Sequence, residues 1–124
     1  MQIHGNHAGT ATRVKMVSSA VSDFLGYSLY TNRLASLTAE VVDVIRSGDG
    51  GRGRWLACLN PHSYAVALED QAFVEALRSA DWLIPDGVGV VLAGRLLGAS
   101  IPERVTGSDI FYGLQRRMNA AGGF

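Results

Sequence analysis

Two short apolar runs in this chain finish in the same way, and that repetition restricts the fold more than any other feature. Trp55-Leu56-Ala57-Cys58-Leu59 runs into Asn60-Pro61, and Trp82-Leu83-Ile84 runs into Pro85-Asp86-Gly87. Each run is short, lacks the polar alternation of a half-solvated strand and is bounded by turn-forming residues, so both read as buried strands. The stretch between them, Ser63 to Ser79, has a helical pattern with Phe73, Ala76, Leu77 and Ala80 on one face and a break near Asp70, a plausible N-cap. Strand, helix, strand is the unit of a parallel sheet with covering helices.

The rest of the chain extends that unit. From Phe24, FLGYSLYTN reads as one strand, and LASLTAEVVDVIRSGDGG reads as an amphipathic helix with Leu37, Val41, Val44 and Ile45 at helical spacing, stopped by Gly48 to Gly51. GVGVVLAGRLLG reads as a buried helix with Arg95 as its only charge and Gly98 at C′, although Gly89 and Gly94 each cost about 1 kcal/mol relative to Ala. A loop through Pro102 and Arg104 leads to a last helix, Ser108 to Asn119, with Ile110, Phe111, Leu114 and Met118 along one side. Ala-Ala-Gly-Gly then stops that helix, and Phe124 reads as the first residue of a further strand. Residues 1–22 are polar and unpatterned and read as a flexible tail, with the domain occupying 23–124. The fold class expected is α/β, a Rossmann-like parallel sheet with covering helices that ends before the sheet is complete.

Composition removes several function classes. At 124 residues, 48% hydrophobic and 18% charged, the chain has the make-up of a globular domain or part of one. Eleven basic residues balance eleven acidic ones, so no electrostatic footprint points to nucleic acid. Cys58 has no partner for an internal disulfide, and no CxxC or paired Cys/His spacing suggests structural zinc. His4 and His7 would be two ligands in a tail without a third. No apolar stretch approaches the roughly 20 residues of a bilayer span, and the first residues lack a secretory h-region. A reducing, cytoplasmic setting follows as the expectation.

In parallel sheets ligands bind beyond the carboxyl ends of the strands. One such end carries Cys58, Leu59 and Asn60, and the next carries Pro85, Asp86 and Gly87. Asp86 is the best candidate for a catalytic group, because Pro85 fixes its approach and Gly87 lets a substrate come close to the backbone; its alternative task is to cap the following helix. Asn60 either holds an incoming hydroxyl or makes an Asx-turn, and His62 is either a donor in the same crevice or a surface histidine. Arg104 with Thr106, Gly107, Ser108 and Asp109 at a helix start suits a phosphate, or else is a capped helix beside a solvated arginine. The dinucleotide fingerprint is incomplete, since Gly87 and Gly89 are followed by Leu92 where a third glycine belongs.

Taken together, LNPHSYAVALED, LRSADWLIPDGVGVVLAGRLLG and PERVTGSDIF resemble the WecG/TagA/CpsF family of bacterial glycosyltransferases. The order and separation of Asn60, the Pro85-Asp86-Gly87 turn, Arg104-Val105, Gly107 and Asp109 carry the resemblance, which runs from about Phe24 to the end of the chain and is similar to the N-terminal half of the family domain. It implies transfer of an N-acetylmannosamine-type sugar from a UDP donor to a polyprenyl-diphosphate-linked N-acetylglucosamine at the cytoplasmic membrane face, in teichoic acid or related surface polysaccharide synthesis. It also implies Asp86 as general base, Arg104 at the diphosphate, substrate contacts at Cys58, Asn60, Gly87, Gly107 and Asp109, inversion, and neither a metal nor another cofactor. The family often carries threonine where this chain has Cys58, and a thiol is the poorer hydrogen-bond partner.

Two other readings use the same residues. One is a nucleotide-binding hydrolase in which Asp86 activates water; the other is a non-catalytic fragment or interaction module in which the polar strand ends are only caps and turns. An incomplete sheet would also leave an open edge, from which self-association as a homo-oligomer, or loose folding, is expected.

Overall fold

The computed structural model describes residues 21–48 and 50–123. In chain order these form β1 (Val21–Phe24), β2 (Tyr27–Tyr30), α1 (Leu34–Ser47), β3 (Leu56–Leu59), α2 (Pro61–Ala67), α3 (Gln71–Ser79), β4 (Trp82–Pro85), α4 (Val88–Leu96) and α5 (Gly107–Ala120). The two apolar runs pair as parallel strands, with Leu56 opposite Trp82 and Leu59 opposite Pro85. β2 lies beside β4 without a ladder between them.

Alternation along the strands explains why the runs are apolar throughout. Leu83 of β4 joins Leu59, Ala67, Val74, Leu77 and Val90 in a core beneath α2, α3 and α4, while Ile84, the next residue, joins Leu37, Val105 and Ile110 beneath α1 and α5. Ala57 packs with the first group and Leu56 and Cys58 with the second. Both faces of the sheet are therefore covered, as a parallel α/β layer requires.

Polar contacts tie these layers together. Glu40 of α1 accepts hydrogen bonds from the Tyr30 hydroxyl and the Trp82 indole, each at 3.1 Å. Burial, reinforced by the Glu40 charge, pushes the Tyr30 phenol well above its ordinary range, so the hydroxyl remains a donor. Arg117 of α5 donates to Thr38 Oγ1 at 2.8 Å and to the Ala35 carbonyl at 2.9 Å, bridging α5 to α1.

Several expectations need correction. The segment from Phe24 is a hairpin rather than one strand: β1 and β2 pair antiparallel across Leu25 and Gly26, both at positive φ (50° and 86°), as in a two-residue turn. Apolar alternation looks the same on either side of such a turn, and leucine is not a turn residue. Its first strand begins at Val21, so Val21 and Ser22 are paired with Tyr30 and Leu29; residues 1–20, including His4 and His7, lie outside the described part. On α1, Thr38 and Val42 are buried with Leu37, whereas Ile45 is 47% exposed. On α5, Ile110 and Gly113 face the core and Phe111 is 63% exposed, because the helix presents its smallest residue to α1.

α4 and its stop at Gly98, φ 90°, are where the sequence puts them, but the helix is not buried as expected: Val90, Val91 and Gly94 face the core, while Val88, Leu92 and Leu96 are exposed, because only one face packs on the sheet. Its glycines have a packing reason: a Cβ on Gly94 would lie 2.7 Å from Ile101 Cδ1, and one on Gly89 would lie 3.2 Å from Pro61 Cγ. The helix cost of each glycine is offset by an approach that a side chain would block. The stop after α5 also holds, with the Gly123 amide donating to the Met118 carbonyl at 2.9 Å; Phe124 lies outside the described residues.

Candidate functional site

β3 and β4 stay side by side to their ends, because the Asp86 amide donates to the Leu59 carbonyl at 2.8 Å, one step past the strand. Asn60 and Asp86 therefore leave adjacent strands at the same edge of the sheet. Each strand feeds directly into a helix, so two helix N-termini meet there, with Gly89 against Pro61.

Those helices begin differently. Asn60 is the N-cap of α2: its Oδ1 accepts from the Ser63 amide at 2.8 Å, and Ser63 Oγ accepts from the Asn60 amide at 2.8 Å, closing a capping box. The turn role is thus real, yet it uses only the side-chain oxygen. Among the described residues the Asn60 amide group, Nδ2, makes no hydrogen bond. α4 has no side-chain cap. Its N-cap is Gly87, at φ 89° and ψ 151°, a conformation open essentially to glycine alone. Asp86 precedes the cap and does not fill it, which removes the capping alternative for its carboxylate. The first residues of α4, Val88 and Gly89, are exposed.

α5 adds a third N-terminus. Thr106 caps it, with Asp109 Oδ2 accepting from the Thr106 amide at 2.9 Å and from its hydroxyl at 2.8 Å. Backbone hydrogen bonding from Thr106, then its hydroxyl, and a smaller effect of the nearby Arg104 charge hold the Asp109 carboxyl below the ordinary range. The start of α5 lies against the end of β3, since a Cβ on Gly107 would lie 4.0 Å from Cys58 Sγ. Burial, and then the charge of Asp86, push the Cys58 thiol upward. Cys58, at the end of β3, is thus near both the start of α5 and the Asp86 carboxylate at the end of the neighbouring strand.

Of the residues expected from the sequence, the structure thus collects Cys58, Asn60, Asp86, Gly87 and Gly107 at the carboxyl ends of β3 and β4. Arg104 is exposed, beside Asp109 at the α5 end of this edge, and His62 is exposed in the first turn of α2. The first turns of α2 and α4 meet here and that of α5 lies beside Cys58; those of α2 and α5 are closed by capping boxes, while that of α4 has no side-chain cap.

Sequence reasoning passed over Glu103. Its Oε1 accepts from the Leu34 amide at 2.6 Å, and its Oε2 lies 4.0 Å from Arg33 Nη1. The partner is 69 residues away, so no local pattern marks it.

Residues 22–123 match the family described as "Glycosyl transferase WecG/TagA/CpsF family". The chain is also similar to the N-acetylglucosaminyldiphosphoundecaprenol N-acetyl-beta-D-mannosaminyltransferase of Bacillus spizizenii (strain ATCC 23059 / NRRL B-14472 / W23), 33% identical over 66 residues that make up 53% of this chain and 26% of that protein. The protein of the same description in Bacillus subtilis (strain 168) is 32% identical over 59 residues, 48% of this chain and 23% of the relative. The matched segment spans about a quarter of the length of these curated relatives.

Proposed function

Because the chain belongs to the WecG/TagA/CpsF family of glycosyl transferases, we propose that the crevice at the carboxyl ends of β3 and β4 serves sugar transfer, with Asp86 as general base. The observation that carries this reading is the state of Asp86: it stands at the mouth of the parallel sheet, next to a glycine N-cap, with its carboxylate not used to cap α4. A carboxylate so placed suits proton abstraction rather than helix capping.

In the proposed reaction an acceptor hydroxyl attacks the anomeric carbon of a UDP-linked N-acetylmannosamine-type sugar. Its proton passes to Asp86 as the new C–O bond forms, the bond to the diphosphate breaks, and UDP leaves from the opposite face, inverting the centre. Charge on the leaving diphosphate is met by Arg104 and by the helix N-termini, without a metal. Asn60 offers its free amide donor to the substrate, Gly87 admits it close to the backbone, Cys58 lies at the floor as a neutral thiol, and Gly107 with Asp109 holds the start of α5 in place.

The acceptor in this reading is a polyprenyl-diphosphate-linked N-acetylglucosamine, consistent with the names of the two relatives. The protein would then work against the cytoplasmic face of the membrane, in teichoic acid or related surface polysaccharide synthesis. Among the described residues no helix is long and apolar enough to cross a bilayer.

The test is a transfer assay with labelled UDP-N-acetylmannosamine and a short-chain polyprenyl-diphosphate N-acetylglucosamine. The expected product is the lipid-linked disaccharide, formed only with the acceptor present. Release of free labelled sugar in its place would establish the hydrolase reading.

A further inference from the structure

The loop that carries Arg104 has no secondary structure of its own between Leu97 and Thr106, yet it is held firmly at several points. Ile101 is buried with Val91 and Ala99, and Arg95 Nε donates to the Ile101 carbonyl at 3.0 Å. Val105 is buried in the core beneath α1 and α5. Between these anchors, Glu103 accepts a 2.6 Å hydrogen bond from the Leu34 amide, the first of the orphan N–H groups of α1. The cavity under the loop, lined by Thr31, Ile84, Pro85, Ile101, Glu103 and Val105 among others, is about 10 Å³, so little space remains for the loop to settle inward.

Arg33, the N-cap of α1, makes no side-chain cap bond, so Glu103 acts as the cap from 69 residues away. This arrangement fixes the backbone on both sides of Arg104: the Glu103 side chain is bonded and the Val105 side chain is buried, while the arginine side chain is left exposed. We propose that Glu103 is a positioning residue, which holds Arg104 at the mouth of the crevice by pinning its loop to the N-terminus of α1. The inference rests on the reading of Arg104 as the diphosphate-binding residue.

Charge alone makes the opposite demand. Removing a carboxylate next to an anion site should tighten anion binding, so weaker binding after its loss identifies positioning rather than electrostatics. The experiment is calorimetric titration of the full chain with inorganic pyrophosphate, together with the melting temperature of each variant. Arg104→Ala should weaken binding about tenfold or more, the share of a charge-assisted contact. Glu103→Ala should weaken it about threefold to tenfold, and that loss should vanish in the Arg104→Ala background. Glu103→Gln keeps an acceptor for the Leu34 amide and removes the charge, so it should bind pyrophosphate at least as well as the parent.

The same bond can be cut from the other side. Arg33 has φ −75° and ψ 156°, the conformation required before proline, and Leu34 is the first helical position, so Leu34→Pro removes the donor with little backbone conflict. It should reproduce the Glu103→Ala loss, whereas Leu34→Ala, which keeps the amide, should not. Together these variants decide the matter even where Glu103→Ala folds poorly. Normal binding by Leu34→Pro and Glu103→Ala, with Arg104→Ala impaired, would overturn the positioning role and leave the site reading intact. If the parent does not bind pyrophosphate, or Arg104→Ala binds as the parent does, the reading of Arg104 falls and the inference with it.

Discussion

Asp86 illustrates what a single residue's local pattern leaves undecided. An aspartate before an apolar run fits a helix cap and a catalytic base equally well, and the backbone removes the first of these, because Gly87 takes the cap position, leaving the base role as the proposal to test. Asp86→Asn should therefore leave the melting temperature nearly unchanged while lowering sugar transfer about 10²- to 10⁴-fold, the usual worth of a general base. A marked fall in melting temperature with retained turnover would return Asp86 to a structural role. Cys58 reports on the same carboxylate. Its thiol is raised by burial and by Asp86, so the folded state holds the proton more tightly than the unfolded chain does. This term leaves stability unaffected below the ordinary thiol range near 8.5 and makes it fall as pH rises from there through the raised value. Alkylation of Cys58 by iodoacetamide should accordingly be slower than that of a free thiol at the same pH, and Asp86→Asn should quicken it by removing the smaller of the two causes. An unchanged rate in that variant would mean that the two side chains do not share one crevice.

At the scale of elements, the parts of the sequence whose signals are local were legible. β3 and β4 are apolar runs between turn residues, and Asp70 caps α3 by accepting a 3.0 Å hydrogen bond from the Phe73 amide, as its position before a helical pattern implied. Asn60, Asp86 and Gly87 were placed correctly at strand ends because strand ends are marked by the change from apolar to polar residues. What was hidden depends on distant partners or on backbone shape. Glu103 meets α1 across 69 residues, and the face of α5 is set by how closely α1 approaches Gly113 rather than by where its aromatic residues fall. The hairpin was missed because Leu25, 53% exposed and at φ 50°, occupies a position where Asn is favoured and leucine is strained. Leu25→Asn should relieve that strain and raise stability by about 0.5–1 kcal/mol, visible as a higher melting temperature with an unchanged far-ultraviolet spectrum. A lower melting temperature would show that the exposed leucine contributes packing to the hairpin that outweighs its backbone cost.

For the whole molecule, the unusual feature is the contrast between a well-covered sheet and what surrounds it. β4 is flanked by β2 and β3, but among the described residues no strand pairs with the outer edge of β3. Beyond the sheet, α4 exposes Leu92 and Leu96, four residues apart on one helical face, at 52% and 86%, and Leu97 follows at 63%. Phe111 and Tyr112 on α5 are 63% and 58% exposed and stack edge to face on each other. Isolated exposed apolar residues are ordinary, but a helical row of them together with an unpaired strand edge favours association, since each offers surface or backbone groups that another copy can cover. In solution, this 124-residue chain should therefore associate as its concentration rises, detected by sedimentation velocity or by size-exclusion chromatography over a wide loading range. Leu92→Glu with Leu96→Glu should shift the population toward monomer if the α4 row makes the contact, because like charges would then face one another across it. Association that survives both changes would point to the β3 edge, where Ala57→Pro removes a backbone donor and should break a strand-to-strand contact if that amide faces outward. A monomer at every concentration would show that neither surface drives self-association, and the expectation of a homo-oligomer would be withdrawn.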